Sequence, residues 1–564
     1  MKTALKVILA TILATNLNAA TKQTSFSVVE ATIPEMQAAM KAGRVTSHDL
    51  VQQYLTRIAM YEDRLNAILY VNPHAFDEAD QLDRERAAGR LRGPLHGIPI
   101  ALKDNIQTTN MPTTGGALAF DGYTPPYEAT ITKNLRDAGA IIIAKTGMTE
   151  LANWVAGSPI PMPANYNGLK GYAFNPYDPR RDPRTDTFDG RPALFTGGSS
   201  SGVGTAANFW AANIGTETSG SILSPSNQNM LVGIKPTVGR VSRYGVIPIT
   251  ADQDTPGPMA KSVTDAAIVL GALERSNPDP NDPATTKCTP PANHDYTTFL
   301  KADALKGARI GIPRAFYYDK TTPPGAEKPR GGLNADQLKV MNDAIAVMKA
   351  HGAVVVDPAD IPSIVDKDAN NNLLNFGVCT SMEDVKERKC SIDLAYGMER
   401  DFNKWLQSLG PSAPVKSLTA LREWNQAHTK AGAIKYGQSL LDISDYMDLD
   451  TFKARYEADR AKDIQLAGTH GIDEAMKTNN LDALLFADGT GANIAARPGY
   501  PSVTVPFGVV PNAPTPAFPE GFNAKPSPLN VTFTSTACNE PTLIRLAYSF
   551  EQATKKRVPP PGLR

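Results

Sequence analysis

The chain has 564 residues, of which 41% are hydrophobic and 20% are charged, with 43 Gly and 45 Pro. This apolar share is enough to bury a large core, so a disordered or low-complexity protein is excluded. The 57 basic and 57 acidic residues give a formal net charge of zero, which leaves no electrostatic footprint for nucleic acid or an anionic membrane. Only seven His, four Cys and no His-Glu pair are present, which excludes a zincin helix and disfavours a Cys-rich zinc module.

The first 20 residues have the pattern of a secretory signal peptide. A short basic start at Met1 to Lys6 precedes a mostly apolar run at 7–17, and small residues follow at 18–20. The run is too short for a membrane span, and no later stretch approaches that length. We therefore expect a periplasmic or secreted protein that has no membrane span and is cleaved near residue 20.

Export would place the four cysteines in an oxidising compartment, where disulfides can form. Cys379 and Cys390 are close enough in sequence to pair. A buried free thiol is an equally good interpretation for each of the four cysteines. The sequence therefore leaves the pairing open.

In chain order, the periodicity predicts helices and buried strands that alternate over much of the chain. Helices are predicted at 47–59, with Ser47 as the cap, and at 76–88, 130–138, 262–274 and 334–351. Strands are predicted at 98–102, 140–144, 353–356, 482–486 and 502–507, and 394–466 is mostly helical. Continuous apolar strands separated by helices are typical of a largely parallel sheet covered on both faces.

The sequence thus predicts a single large α/β domain at 21–564, without a linker that divides it. We expect an N-terminal helical part at 27–92, a core at 93–275, mostly helical additions at 276–480 and a return to the sheet at 481–564. Within the core, 155–196 is rich in Pro, Gly, Asn, Arg and Asp and has no sustained period. A loop of this length inside a compact domain is usually functional or a lid-like insertion.

Three segments carry residues suited to chemistry. Residues 196–202 (TGGSSSG) form a Gly- and Ser-rich loop before a run of small residues typical of a helix. Residues 215–222 (GTETSGSI) place another Ser behind a glycine turn whose N–H groups could converge on one oxygen. Residues 101–105 (ALKDN) place a Lys at the end of a buried strand, where we expect it to be desolvated.

Taken one by one, these segments allow several interpretations. Residues 198–202 satisfy G-x-S-x-G, which would make Ser200 the nucleophile of an α/β-hydrolase, but the preceding 191–197 is loop-like. That interpretation also needs a His, and the candidates are His294, His351, His428 and His470. The loop could instead serve only close packing, and a phosphate cradle lacks its P-loop or dinucleotide pattern. Lys103 alone would be interpreted as a partner of Asp104.

The order of ALKDN, GGSSSG, GTETSGSI and the GIKPT at 233–237 resembles the amidase signature family. Further similar stretches lie at 93–99, 144–152, 253–260 and 496–506, so that the resemblance covers nearly all of the chain after residue 20. The GGSSSG and GTET variants are most similar to the peptide amidase branch, rather than the tRNA amidotransferase branch. The resemblance implies an α/β/α fold with a mixed, largely parallel central sheet and an amidohydrolase without metal or organic cofactor.

The resemblance also implies the site residues. Ser221 matches the acylated nucleophile, Ser199 the relay serine on a cis peptide and Lys103 the base. The backbone N–H groups of Thr218, Ser219 and Gly220 match the oxyanion hole. The sequence departs from the family in two ways: the spacing from Ser199 to Ser221 is slightly short, and position 219 is Ser where relatives often have Gly or Asp.

We therefore predict an amidase whose partner is a small-molecule or peptide amide and which binds no nucleic acid. One alternative is a secreted, non-catalytic binding protein on an amidase scaffold. Another is an esterase that uses Ser200, and a third, less favoured, is a component of a tRNA amidotransferase.

Overall fold

A computed structural model of the chain describes residues 26–185, 189–198 and 200–563. The predicted signal peptide and Ser199 lie outside the described residues. The strands of the central sheet are Ile68–Val71 (β1), Pro99–Lys103 (β2), Ile141–Thr146 (β3), Ala212–Glu217 (β6), Val232–Lys235 (β7), Thr255–Ala260 (β8), Arg309–Gly311 (β9), Val354–Val356 (β10), Ala483–Ala487 (β13), Ser502–Val510 (β14) and Ser527–Thr534 (β15). They form an eleven-stranded mixed sheet in the order β1-β3-β2-β6-β8-β7-β14-β15-β13-β9-β10.

Two small two-stranded sheets lie outside this central sheet. They pair Tyr166–Asn167 (β4) with Gly171–Tyr172 (β5), and Gly377–Val378 (β11) with Cys390–Ser391 (β12). The α-helices are Ile33–Lys41 (α1), Ser47–Leu65 (α2), Ala75–Ala87 (α3), Thr130–Asp137 (α4), Ser200–Ala206 (α5), Leu223–Gln228 (α6), Val263–Leu273 (α7), Ala335–Ala350 (α8), Pro362–Val365 (α9), Met382–Glu387 (α10), Asp393–Ser408 (α11), Leu418–Ala427 (α12), Ser439–Asp445 (α13), Lys453–Ile464 (α14), Asp473–Thr478 (α15), Ala492–Ala496 (α16) and Glu540–Thr554 (α17).

The predicted α/β class with helices flanking a mixed sheet is confirmed. Several helices pack on the sheet. The helices α4, α7, α8 and α17 form one connected group, α5 and α6 form another, and α3 packs on β3. The expectation that the sheet is largely parallel needs correction, because only four of its ten neighbouring strand pairs are parallel: β2 with β3, β2 with β6, β9 with β10 and β9 with β13.

The strand β8 explains why the antiparallel part was not apparent from the sequence. Its residues Pro256 and Pro258 argue against a central strand, because proline cannot donate to the ladder. In the structure this half of β8 pairs only with β6, since β7 reaches only Met259 and Ala260. The two prolines thus occupy a stretch that is locally an edge, where proline is tolerated.

Helix ends follow local sequence signals. The helix α2 begins at Ser47, one residue earlier than the predicted Ser47 cap implies, because Thr46 caps it. Thr46 Oγ1 accepts a hydrogen bond from the Asp49 N–H at 3.0 Å, and Asp49 Oδ2 accepts one from the Thr46 N–H at 2.8 Å. This reciprocal pair is a capping box, which satisfies two N–H groups that the helix leaves unpaired.

The hydrophobic interior has two main parts. One lies between the central sheet and its helices, and the other joins the helical additions to the insertion at 155–196. Members of the second part include Trp154, Phe174, Phe402 and Trp405. The insertion is therefore packed on the helices α11 to α13. The segment predicted as mostly helical at 276–480 also contributes the strands β9 and β10 to the sheet edge.

All four cysteines are paired. Cys379 joins Cys390, and Cys288 joins Cys538 across 250 residues of sequence. Among the residues that the structure describes, no helix has both the length and the apolar character to cross a membrane.

Candidate active site

The three predicted segments approach one another at the carboxyl ends of parallel strands. β2 ends at Lys103, and the neighbouring β6 ends at Glu217, directly before the turn with Ser221. The Gly198 loop lies on the same side, because the Gly198 carbonyl accepts a hydrogen bond from Thr149, three residues after β3. Crevices outside the carboxyl ends of parallel strands are the usual ligand sites of open α/β sheets.

The Lys103 amine is completely buried and bound to the neighbouring strand. Its Nζ donates to the backbone oxygen and to Oγ1 of Thr216, each at 3.0 Å. Burial lowers the pKa of Lys103 to about 8, although the carboxyl groups of Asp254 and Glu217 act in the opposite direction. An amine with this pKa is neutral often enough to accept a proton near neutral pH.

Lys103 is not the partner of Asp104, which was the alternative interpretation from sequence. Asp104 faces a different buried lysine, with 3.2 Å between its Oδ1 and Lys145 Nζ. Successive side chains of a strand point to opposite faces, so neighbours in sequence are separated. Lys103 therefore has hydroxyl and carbonyl oxygens, rather than a carboxylate, as its hydrogen-bond partners.

The Ser221 hydroxyl lies beside the Gly- and Ser-rich loop. A methyl group built on Gly198 would lie 3.7 Å from Ser221 Oγ, and Ser221 is itself half-buried. The predicted relay, Ser199, follows Gly198 directly in sequence but lies outside the described residues. The structure thus brings Ser221 to the loop that carries Ser199.

Thr149 holds this loop and was not identified as a site residue from sequence. Its N–H and its hydroxyl both donate to the Gly198 carbonyl, at 3.2 and 3.1 Å. Its Oγ1 also accepts the Asn165 N–H at 2.6 Å, which connects the 155–196 insertion to the loop. Only the family-like stretch at 144–152 pointed to this region, and nothing in it distinguishes Thr149 from its neighbours.

The Glu217 carboxylate stabilises the turn that is predicted to form the oxyanion hole. One oxygen of the Glu217 carboxylate accepts the N–H groups of Ile222 and Leu223, at 2.8 and 3.0 Å. Gly220 has φ +96°, a conformation that a residue with a Cβ rarely adopts. Among the described residues, none accepts a hydrogen bond from the N–H of Ser219 or Gly220, so both donors can serve an oxygen in the site.

Buried lysines with a lowered pKa are not confined to position 103. Lys235, in the GIKPT stretch, is also fully buried, and burial lowers its pKa to about 8. Its Nζ donates to the Tyr500 carbonyl at 2.5 Å, between strands of the antiparallel half of the sheet. Burial and pKa alone therefore do not identify the base, and the position of Lys103 at the end of β2 distinguishes it.

The esterase interpretation lacks its structural context. Residues 189–198, before α5, contain no strand from which a nucleophile elbow could project. Three of its four candidate histidines have hydrogen-bond partners elsewhere: the Val347 carbonyl for His351, the Trp424 carbonyl for His428, and Asp366 with Glu474 for His470. The fourth, His294, lies with its Nδ1 3.9 Å from a carboxylate oxygen of Glu274.

The comparisons with known proteins identify the family of the chain. The model of the amidase family matches residues 49–541, so the chain belongs to that family. It is an enzyme of the class that hydrolyses amides.

The chain is 32% identical over 539 residues to a putative amidase of Arthroderma benhamiae, covering 95% of this chain and 83% of the relative. The crystal structure of a peptide amidase from Stenotrophomonas maltophilia is 36% identical, with a TM-score of 0.77, covering 94% of this chain and 98% of that one. One of the subunits of the glutamyl-tRNA(Gln) amidotransferase of Chloroflexus aurantiacus is 37% identical, but over only 58% of this chain and 60% of that protein. The predicted resemblance to the peptide amidase branch is confirmed.

Proposed function

We propose that the chain hydrolyses carboxylic amides through an acyl-enzyme on Ser221, with Lys103 as the base and Ser199 as the relay. The observation that carries this proposal is the buried Lys103 amine at the end of β2, with the Ser221 hydroxyl beside Gly198 at the same edge of the sheet. A serine hydroxyl is a poor nucleophile until a base removes its proton. Lys103 can be that base, because its burial favours the neutral amine.

The reaction then has two halves. Ser221 Oγ attacks the amide carbon, and its proton passes through Ser199 to Lys103. The N–H groups at 218–220 hold the negative oxygen of the tetrahedral intermediate. The proton returns to the nitrogen as the C–N bond breaks, ammonia or an amine leaves, and the acyl group stays on Ser221. In the second half, water attacks the acyl carbon while its proton passes to Lys103. The bond between Ser221 Oγ and the acyl carbon then breaks, the proton returns from Lys103 to Ser221 Oγ, and the carboxylic acid leaves.

Variants of the two competing serines test the assignment. Ser221→Ala should abolish turnover and acyl-enzyme formation, whereas Ser200→Ala should keep measurable activity. Intact-mass trapping with a slow amide locates the acyl group, and a fluorophosphonate label reports on the nucleophile without a known substrate. A covalent adduct on Ser200 with full activity in Ser221→Ala would favour the esterase. No label and no turnover in wild type would favour a non-catalytic scaffold.

For the substrate, we propose C-terminal peptide amides among the small amides that the enzyme cleaves. The support is the similarity to the peptide amidase from Stenotrophomonas maltophilia, which extends over nearly the whole of both chains. A panel of peptide, aryl, fatty-acyl and short aliphatic amides, measured by kcat/KM, tests this proposal. A preference for aryl or fatty-acyl amides by more than about tenfold, or ~1.4 kcal/mol, would contradict it.

We also propose that the protein is exported. The supporting features are the apolar run at 7–17 with small residues after it and the pairing of all four cysteines in disulfides. N-terminal sequencing of the native protein should find a start near Ala20 or Thr21. A native product that begins at Met1 would contradict export.

A further inference from the structure

The turn that follows β6 is attached to a buried carboxylate on another part of the chain. The Thr218 hydroxyl, at the start of this turn, donates to Asp254 Oδ1 at 2.5 Å. The other oxygen, Oδ2, accepts the N–H groups of Ile249 and Thr250, at 2.8 and 3.0 Å. One carboxylate thus joins the turn before Ser221 to the segment that precedes β8.

The segment with Asp254 is itself fixed by the helical additions. Gln253 Nε2 donates to Asp393 Oδ2 at 3.0 Å, and Arg400 pairs with Asp252 at 2.8 Å. Asp393 and Arg400 both belong to α11. The Asp254 carboxylate therefore has a rigid support, and a displacement of its partner Thr218 would move the backbone donors of the turn.

Asp254 also bears on the charge of the base. Its carboxyl raises the pKa of Lys103, as does Glu217, while burial of the amine lowers it. Burial raises the pKa of Asp254 to about 6, although the hydrogen bonds that it accepts from Thr218 and Ile249 act to lower this pKa. Two further charged groups face Asp254: Arg243, which is already paired with Asp282, and Asp401 from α11. Above pH 6 Asp254 is therefore an anion that favours the protonated state of Lys103.

We propose that Asp254 is a positioning residue for amide hydrolysis: through the Thr218 hydroxyl it aligns the oxyanion turn, and its negative charge stabilises protonated Lys103 after the first proton transfer. This inference rests on the proposed function of Lys103 and Ser221. Neither oxygen of the Asp254 carboxylate has to contact the substrate for this role. The effect of Asp254 is on kcat, because the donors of the turn act on charge that develops only in the transition state.

The test uses Asp254→Asn, Thr218→Val and Thr218→Ser in the full chain, with Asp265→Asn as a matched control. Asp265, like Asp254, is buried, accepts a backbone N–H at 2.8 Å from Ile33, and has a pKa that burial raises to about 6. It lies in α7, against the N-terminal helix α1. Each variant is measured with the best amide of the panel, and its folding is followed by circular dichroism and urea unfolding.

Asp254→Asn and Thr218→Val should each lower kcat by about tenfold or more while KM changes by less than about threefold. Thr218→Ser keeps the hydroxyl and should recover most of the kcat that Thr218→Val loses. The double variant Asp254→Asn/Thr218→Val should have a kcat only slightly below that of the less active single variant, because both substitutions remove the same hydrogen bond. Asp265→Asn should lose stability without this loss of kcat.

The pH profile supplies a readout that a purely structural role would not move. Removal of the Asp254 charge lowers the pKa of Lys103, so the rise of kcat/KM with pH should shift to lower pH in Asp254→Asn. It should not shift in Asp265→Asn. A folded Asp254→Asn enzyme with kcat within about threefold of wild type, or with an unshifted profile, would overturn the inference. If Ser221→Ala retains activity, the proposed function fails instead, and the two failures are thereby distinguished.

Discussion

Replacement of Lys103 tests the base directly. Burial lowers the pKa of the amine from 10.5 to about 8, so about one-tenth of the free enzyme has a neutral base at pH 7 and about nine-tenths at pH 9. The kcat/KM of wild type should therefore rise about tenfold per pH unit below pH 8 and level off above it. Lys103→Arg should lose at least about 100-fold at every pH, because the guanidinium stays protonated.

The stability of Lys103→Met separates catalysis from folding. Because the folded-state pKa lies below the unfolded value, the buried cation opposes folding fully below pH 8, and the penalty disappears as pH rises past 10.5. The lowered pKa corresponds to a destabilisation of the folded state by roughly 3 kcal/mol. The two hydrogen bonds from Lys103 to Thr216 stabilise the folded state by about 2 kcal/mol. Lys103→Met should thus be about as stable as wild type at pH 7, or more stable by roughly 1 kcal/mol, yet inactive.

The assay is kcat/KM against pH for wild type, Lys103→Arg and Lys103→Met, with urea unfolding of each. Lys261→Arg is the control, because Lys261 is also buried, burial lowers its pKa to about 8, and its Nζ donates to Asn208 at 2.7 Å. Lys261→Arg should change stability but keep the shape of the pH profile. A folded Lys103→Arg enzyme with a kcat/KM near wild type would refute the role of Lys103 as a base.

Three further predictions concern the scaffold. Gly197→Ala should prevent formation of the active loop, because the added Cβ would lie 2.4 Å from backbone atoms of Pro225. The control Gly43→Ala places its Cβ where no atom lies within 4 Å, so it should lower the free energy of unfolding by only about 1 kcal/mol, as measured by urea unfolding. Arg240→Met should destabilise by about 3–5 kcal/mol, because two buried carboxylates at 2.7 and 2.8 Å lose their partner; an unchanged urea midpoint would contradict this. Removal of the Cys288–Cys538 disulfide should lower the free energy of unfolding by about 5 kcal/mol, and removal of Cys379–Cys390 by about 3 kcal/mol, because the first disulfide closes the longer loop. Equal losses of Tm in the two variants would argue that loop entropy is not the origin of the stabilisation.

The three segments of the candidate site could be recognised from sequence because their signals are local. Lys103 ends an apolar run, and glycine turns with serines at 196–202 and 215–222 can be recognised without knowing what packs against them. The helices and strands with strong periodicity were likewise predicted to within about three residues at each end, except α2, which continues to Leu65 beyond its predicted end at residue 59. In the described residues of the polar insertion at 155–196, the strands are only two residues long, in line with its loop-like composition.

Only the tertiary structure shows which groups, distant in sequence, meet at the site. Thr149 binds Gly198 across 49 residues and Asp254 binds Thr218 across 36, and neither residue type in its local context signals such a contact. The antiparallel half of the sheet was missed for a related reason, because the prolines of β8 contradict strand propensity until the edge-like position of that stretch is known. Local propensity and motif spacing are properties of the sequence, whereas burial, strand neighbours and the pKa of Lys103 depend on what the rest of the chain places around each residue.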